Sequence, residues 1–231
     1  MQKNVVVPCP RKVLIFKSLS DEEILKIASM TKHKQFKKGQ SLIHEGEKSD
    51  TLFIINQGQV KLSKLTLQGK EQILHILTSG ECFCELNIFN SEQNSNFSAY
   101  AMEDTKICML TKANMDSIME RNPSIALKLL KSVTKRLAQT ENLAHNLATN
   151  EPEVRIAYII LEFCEKYGKK TNKGILINLP LTREEMANYT GMTRETISRK
   201  FSKFEDLGFI TSIGNKRLMV KDKAAFRKYI E

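Results

Sequence analysis

The sequence predicts an α+β chain in three parts: an antiparallel β roll over residues 1–121, a long helix over 122–150 and a winged helix-turn-helix over 151–231. Three observations carry this prediction. Short apolar runs separated by glycines mark the roll, a heptad-spaced apolar seam marks the long helix, and two capped helices followed by a hairpin mark the last part.

Composition frames the three parts. The chain has 231 residues of which 41% are hydrophobic, enough to bury one or two cores in a sensor-plus-output arrangement. No run reaches the roughly 18 apolar residues of a membrane span, and Met1 to Arg11 holds no apolar stretch of signal-peptide length. A cytoplasmic chain with no membrane partner is therefore expected. The net charge is +10, with 20 Lys/Arg against 15 Asp/Glu up to residue 150 and 16 against 11 after it. Each part thus carries +5, but the second does so over far fewer residues. Between Thr193 and Lys228 ten basic side chains face four acidic ones, a patch able to displace condensed counterions from phosphates. Cys9, Cys82, Cys84, Cys108 and Cys164 are an odd set, which predicts reduced thiols rather than a disulfide framework.

From Phe36 to Leu110, apolar runs such as Thr51 to Ile55, Val60 to Leu65 and Gln72 to Leu77 alternate with glycines, of which Gly58, Gly69 and Gly80 stand 11 residues apart. Turn signals at that spacing indicate antiparallel strands in a roll or barrel. Just upstream, Ser20 and Glu23 have capping-box spacing, so a short helix runs to about Ser29.

From Asn122 to Asn150 the period changes. Ala126, Leu130, Val133, Leu137, Thr140, Ala144 and Leu147 step alternately by four and three, the a/d seam of a coiled coil and hence a dimer interface. Pro123 suits the first turn of that helix. Glu151-Pro152-Glu153 reads as the hinge beyond it, and a helix from about Val154 to Tyr167 follows, closed by Gly168 and burying Ile156, Ala157, Ile160, Leu161 and Cys164.

Thr182 to Phe201 reads as a helix-turn-helix. Thr182 and Glu185 have capping-box spacing, Gly191 permits the turn, and Thr193 caps the second helix. Arg194, Glu195, Ser198 and Arg199 occupy its first two turns while Ile197 and Phe201 face inward, the arrangement of a recognition helix in the major groove. Arg199 suits guanine O6 and N7, Glu195 suits cytosine N4, and each good bidentate contact discriminates by about 1–3 kcal/mol. The run Gly208 to Val220 is a hairpin around Gly214-Asn215, whose tip residues Lys216 and Arg217 are expected on phosphates. Thr182, Arg183, Thr193 and Lys200 are further phosphate candidates.

With these residues in view, the chain resembles the Crp/Fnr family of bacterial transcription regulators over nearly all its length. Lys38 to Gly46, Gly80 to Phe89, the long helix and Thr193 to Arg199 occur in the family's order. The resemblance implies a jelly-roll sensor like the cyclic-nucleotide-binding fold, a dimerisation helix and a winged DNA-binding domain. It also implies that Glu195 and Arg199 read a TGA-type half-site, that Ser198 matches the Fnr branch, and that Arg194 matches the Crp branch. Double-stranded DNA, a second copy of the chain and RNA polymerase are then the expected partners.

The effector is where the sequence departs from the pattern. The family's nucleotide pocket maps onto Glu85, Leu86, Phe97, Ser98 and Thr140, but Phe97 stands where an arginine binds the cyclic phosphate and Glu141 where the helix usually has serine. Phenylalanine cannot pair with phosphate, which argues against cyclic AMP. An Fnr-type iron–sulfur cluster needs four ligands, and the N-terminus offers only Cys9 beside the roll's Cys108, so no cofactor is predicted. Cys82 and Cys84, two apart on a strand, are expected to share a face without cluster spacing. Thiol chemistry between Cys9 and Cys108, found in some Fnr-like regulators, is the redox alternative. A ligand-binding roll whose basic domain docks a protein is the alternative from another class. Histidines 33, 44, 75 and 145 lack metal-ligand spacing, no nucleophile or phosphate-loop motif appears, and an enzyme is not expected.

Overall fold

Leu52, Phe53, Ile54 and Ile55 are four consecutive apolar residues, all buried, and a strand carries such a run only in a sheet covered on both faces. The computed structural model, which describes Val13, Phe16 and residues 19–89, 94–148 and 151–228, shows what covers them. The chain divides into two units: residues up to Leu65 with Ile73–Ala138, and Thr66–Gln72 with the residues from Gln139 on.

In the first unit, α1 (Asp21–Met30) starts at the expected capping box, with Ser20 and Glu23 bonded reciprocally. The strands are β1 (Lys32–Phe36), β2 (Ser41–Ile43), β3 (Thr51–Gln57), β4 (Gln59–Leu65), β5 (Glu71–Thr78), β6 (Cys82–Phe83), β7 (Ser98–Ala101) and β8 (Thr105–Thr111), with α2 (Glu85–Phe89) between β6 and β7. They form two four-stranded antiparallel sheets, ordered β1-β8-β3-β6 and β2-β7-β4-β5. Phe53 and Ile55 point into the roll with Val60, Leu62, Phe83 and Ala99. Leu52 and Ile54 point the other way, into a second core with Ile24, Ile27, Met115, Ile118, Ile125 and Leu129. That second core is roofed by α1, by α3 (Lys112–Arg121), and by the first turns of α4 (Pro123–Ala148). Each fully buried large side chain is worth roughly 1.5–3 kcal/mol, so the roll is held from both sides of one sheet. Gly58 has φ +99°, and a Cβ there would collide with Thr105, which is why the β3–β4 turn demands glycine.

One expectation about this unit is corrected. Cys82 and Cys84 do not share a strand face: β6 ends at Phe83, and Cys84 has φ 65°. The turn sends Cys82 into the core beneath the helices and Cys84 into the roll interior.

In the second unit, α5 spans Pro152–Tyr167. Pro152 is its first residue rather than part of a preceding break, because a first-turn proline forfeits no helical hydrogen bond. Gly168 closes α5 with φ −74°, not in a left-handed turn; a Cβ there would strike the Cys164 carbonyl. Next come β9 (Gly168–Thr171), β10 (Gly174–Asn178), α6 (Arg183–Thr190), α7 (Arg194–Asp206), β11 (Ile210–Ile213), β12 (Arg217–Val220) and α8 (Lys223–Arg227). The expected hairpin is β11–β12, and it lies in a four-stranded sheet ordered β11-β12-β10-β9. Ile156, Ile160, Phe163, Met186, Ile197 and Phe204 are all buried in this unit. Among the described residues no helix is long and apolar enough to cross a membrane.

Candidate nucleic-acid interface

The helix pair is built by its caps. Thr182 accepts from the Glu185 amide while Glu185 reaches back to the Thr182 amide, and Gly191 takes φ 66° at the end of α6. Thr193 then accepts from the Thr196 amide and starts α7. Ile197, Phe201 and Phe204 on α7 are buried. Phe204 stacks with Phe209 and meets Phe226 edge-on, at centroid distances of 6.3 and 4.9 Å. The opposite face is left to solvent.

That face carries the expected base readers: Arg194, Glu195, Ser198 and Arg199 are all exposed. The Ser198 hydroxyl donates to the Arg194 carbonyl at 3.0 Å. No ion pair among the described residues joins Glu195 to Arg199, so both side chains remain available to a partner. Thr182, Thr193, Lys216 and Arg217 are exposed as well.

Two of the expected phosphate contacts are instead engaged internally. The Arg183 guanidinium lies 3.5 Å from the centroid of Phe201 and donates to the Ser212 hydroxyl at 3.4 Å. Burial lowers its pKa, against the pull of Glu205. Lys200 donates to Glu153 Oε1 at 2.5 Å, and Lys203 reaches the same oxygen at 3.0 Å. Burial works against the Glu153 carboxylate, but hydrogen bonds from Lys200 and Lys203 outweigh it and hold its pKa down at about 2. Neither pairing is visible in the sequence, because Glu153 lies 47 residues from Lys200.

The seam of α4 faces outward. Leu130 and Leu137 are 57% and 56% exposed, Thr140 and Ala144 are exposed, and Ala126 and Val133 are half-buried. The Leu147 side chain lies outside the described residues. The other side of the same helix is committed inward through Ile125 and Leu129, both fully buried.

At the roll, Glu85 is buried and its Oε2 accepts from Arg136 Nη1 at 2.7 Å. Arg136 Nη2 also donates to the Cys82 carbonyl, and the Cys82 thiol donates to Glu85 Oε1 at 3.4 Å. Arg136 was not among the residues singled out from the sequence; its one signal is its place on α4 one turn before Thr140. Phe97 packs on the roll core and meets Phe83 edge-on at 6.4 Å. Ser98 accepts from the Glu45 amide at 2.9 Å, while Leu86 is 51% exposed.

Burial pushes the Cys82 thiol well above its ordinary value, with Glu85 adding to the effect. Burial and Glu85 likewise push Cys84 up to about 12, and burial pushes Cys164 up to about 11. A protonated thiol is a poor nucleophile and a poor metal ligand. Cys108 is disulfide-bonded, where the odd cysteine count makes a reduced thiol the default expectation; its Sγ lies 3.5 Å from His33 Nδ1. Cys9 lies outside the described residues. Among the described residues no cluster of three or more His, Cys, Asp or Glu has the arrangement of a metal site.

A two-sheet roll with helices on one side, and a winged helix-turn-helix with an exposed polar recognition face, together define a DNA-binding transcription regulator with a sensor-type domain. The sequence matches the cyclic nucleotide-binding domain family over residues 33–122 and the Crp-like helix-turn-helix domain family over residues 154–229. The chain belongs to the Crp/Fnr family of transcription regulators. Among curated relatives, it is 29% identical to a CRP-like cAMP-activated global transcriptional regulator of Mycobacterium tuberculosis, covering 85% of this chain and 88% of that protein. It is 22% identical to the anaerobic regulatory protein of Bacillus subtilis, covering 89% and 86%. Its fold is shared with a CooA variant from Carboxydothermus hydrogenoformans, at TM-score 0.81 and 24% identity over 94% of both chains.

The ion pair at the roll makes a direct prediction. Arg136→Met strands a buried carboxylate, which costs about 3–5 kcal/mol, while the double substitution Glu85→Leu with Arg136→Met costs much less. Urea midpoints at unchanged slope measure both; a single variant no less stable than the double would remove the pair from the core's support.

Proposed function

We propose that the chain is a homodimeric regulator that reads a palindromic DNA site with TGA-type half-sites. One observation carries this reading: Glu195 and Arg199 stand exposed on a recognition helix whose other face is locked into the core. An acid beside an arginine on that face suits base edges, where a surface that only sought phosphates would exclude it. Arg194 and Ser198 complete the base-reading set, and Thr182, Thr193, Lys216 and Arg217 take phosphates. The protein acts in the cytoplasm, on DNA, with RNA polymerase as the further partner.

The exposed seam of α4 supports the dimer, since Leu130 and Leu137 are apolar side chains at a/d spacing with more than half their surface in solvent. The two half-sites that such a dimer reads would lie about 34 Å apart, one turn of the duplex. Several relatives are described as cAMP-activated, but this chain's effector is proposed to be something other than a cyclic nucleotide. Phe97, in the phosphate position, is half-buried against the roll core, and Glu85, in the ribose position, already pairs with Arg136.

A second, compatible reading concerns the input. Cys82, Cys84 and Cys164 are free thiols while Cys108 is disulfide-bonded, which supports Cys9 as its partner and a thiol–disulfide switch as the signal. Two electrons and two protons from a dithiol would open that bond to two thiols.

Fluorescence anisotropy with a palindrome of TTGA and TCAA half-sites tests the DNA reading. Scrambling the half-sites should weaken binding by several-fold or more, Arg199→Ala should abolish the difference between the two duplexes, and Lys216→Gln should weaken both alike. Equal affinity of the wild type for both duplexes contradicts sequence-specific reading. Sedimentation of Leu137→Glu, which buries a charge in the seam, should show a monomer where the wild type shows a dimer. With dithiothreitol the wild-type affinity should change and the Cys108→Ser affinity should not; an unresponsive wild type removes the switch.

A further inference from the structure

We propose that Glu153 is a positioning residue for DNA binding, holding Lys200 and Lys203 of the recognition helix away from the phosphate backbone. This rests on the DNA-binding reading above. Glu153 sits in the first turn of α5, where the helix N-terminus favours an acid. A single oxygen, Oε1, accepts from both ammonium groups, at 2.5 Å from Lys200 and 3.0 Å from Lys203. Glu153 and Lys200 are largely enclosed, at 16% and 28% side-chain exposure, while Lys203 is 51% exposed. With its pKa near 2 the carboxylate stays charged at any physiological pH.

The geometry of α7 gives this contact its consequence. At 100° per residue, Arg194, Ser198, Glu195 and Arg199 span one arc of the helix, and Ile197, Phe201 and Phe204 span the buried arc. Lys200 and Lys203 fall on the flank between the two, next to Arg199. A lysine on that flank stands beside the groove edge, where phosphates lie when the helix enters the major groove. Turned back onto α5, the two lysines neutralise an acid instead of displacing counterions from DNA. Charge-driven binding is indifferent to sequence, whereas base contacts are not. Glu153 therefore lowers the sequence-independent part of the affinity and leaves the base readers to decide where the protein sits. The same contact ties the recognition helix to the first helix of its domain and so fixes its orientation.

Salt dependence tests the proposal. Anisotropy titrations with the palindrome and with a scrambled duplex, across about 0.05–0.2 M KCl, give the log–log slope, and each phosphate contact contributes about 0.9 to it. Glu153→Gln should steepen the slope by about one to two, tighten binding to the scrambled duplex at low salt, and shrink the ratio between the two duplexes. Glu184→Gln, the same change of charge at an exposed site on α6, should leave the slope as it is, which separates release of the lysines from a general change in charge. Lys203→Gln in the wild-type background should also leave it, and Glu153→Gln combined with Lys200→Gln and Lys203→Gln should return it to the wild-type value. An unchanged slope in Glu153→Gln overturns the proposal, as does a loss of about one in Lys203→Gln. The Lys203 arm decides the matter alone if Glu153→Gln fails to fold by circular dichroism. A wild type that binds neither duplex at low salt overturns the DNA reading and this one with it, whereas normal wild-type binding with an unmoved slope overturns this one only.

Discussion

The buried carboxylate of Glu85 requires a counter-charge, and Arg136 supplies it from 51 residues along the chain. A lone ionised group at that depth would cost several kcal/mol, so the pair must form wherever the roll is folded. It adds a polar anchor to the apolar one made by Ile125 and Leu129, both fully buried beneath the first turns of α4. With one side of α4 committed, the other follows by helical geometry: Leu130 and Leu137 are turned outward. The pair and the buried Ile125 and Leu129 thus hold α4 to the roll from one side.

The second unit repeats this logic with apolar groups. Ile197, Phe201 and Phe204 commit one side of α7 to the core, and the remaining surface carries polar residues. Among these, charge is sorted by neighbour. Arg183 lies over Phe201 and meets the wing at Ser212. Lys200 and Lys203 turn to Glu153. Arg194, Glu195 and Arg199 are left facing solvent. A basic surface is thereby divided into cations that hold the domain together and cations available to a polyanion, a distinction that net charge does not express.

Much of this was legible in the sequence where the signal is local. Caps at Ser20, Thr182 and Thr193, the left-handed Gly191 and the Gly214-Asn215 hairpin all depend on residues within a few positions of one another. The heptad spacing of α4 was readable for the same reason. What the sequence hid depends on distance or on a single dihedral. Cys84 leaves the strand because of its positive φ, which separates it from Cys82. The β9–β10 pair contains Lys169, Lys170 and Lys173 and has little apolar alternation to announce it. Arg136, Glu153 and the stacking of Arg183 acquire meaning only from partners tens of residues away, so Lys200 and Arg183 read as phosphate contacts although both are held by side chains of their own domain.

In the proposed dimer, two recognition helices, one from each copy, read one face of a duplex. Hydroxyl-radical footprinting of the palindrome measures this most directly, because it maps each contacted backbone segment along the DNA. Two protected blocks of equal strength, on one face and about 34 Å apart, are expected of such a dimer. A single block, or protection spread evenly along the duplex, would contradict it.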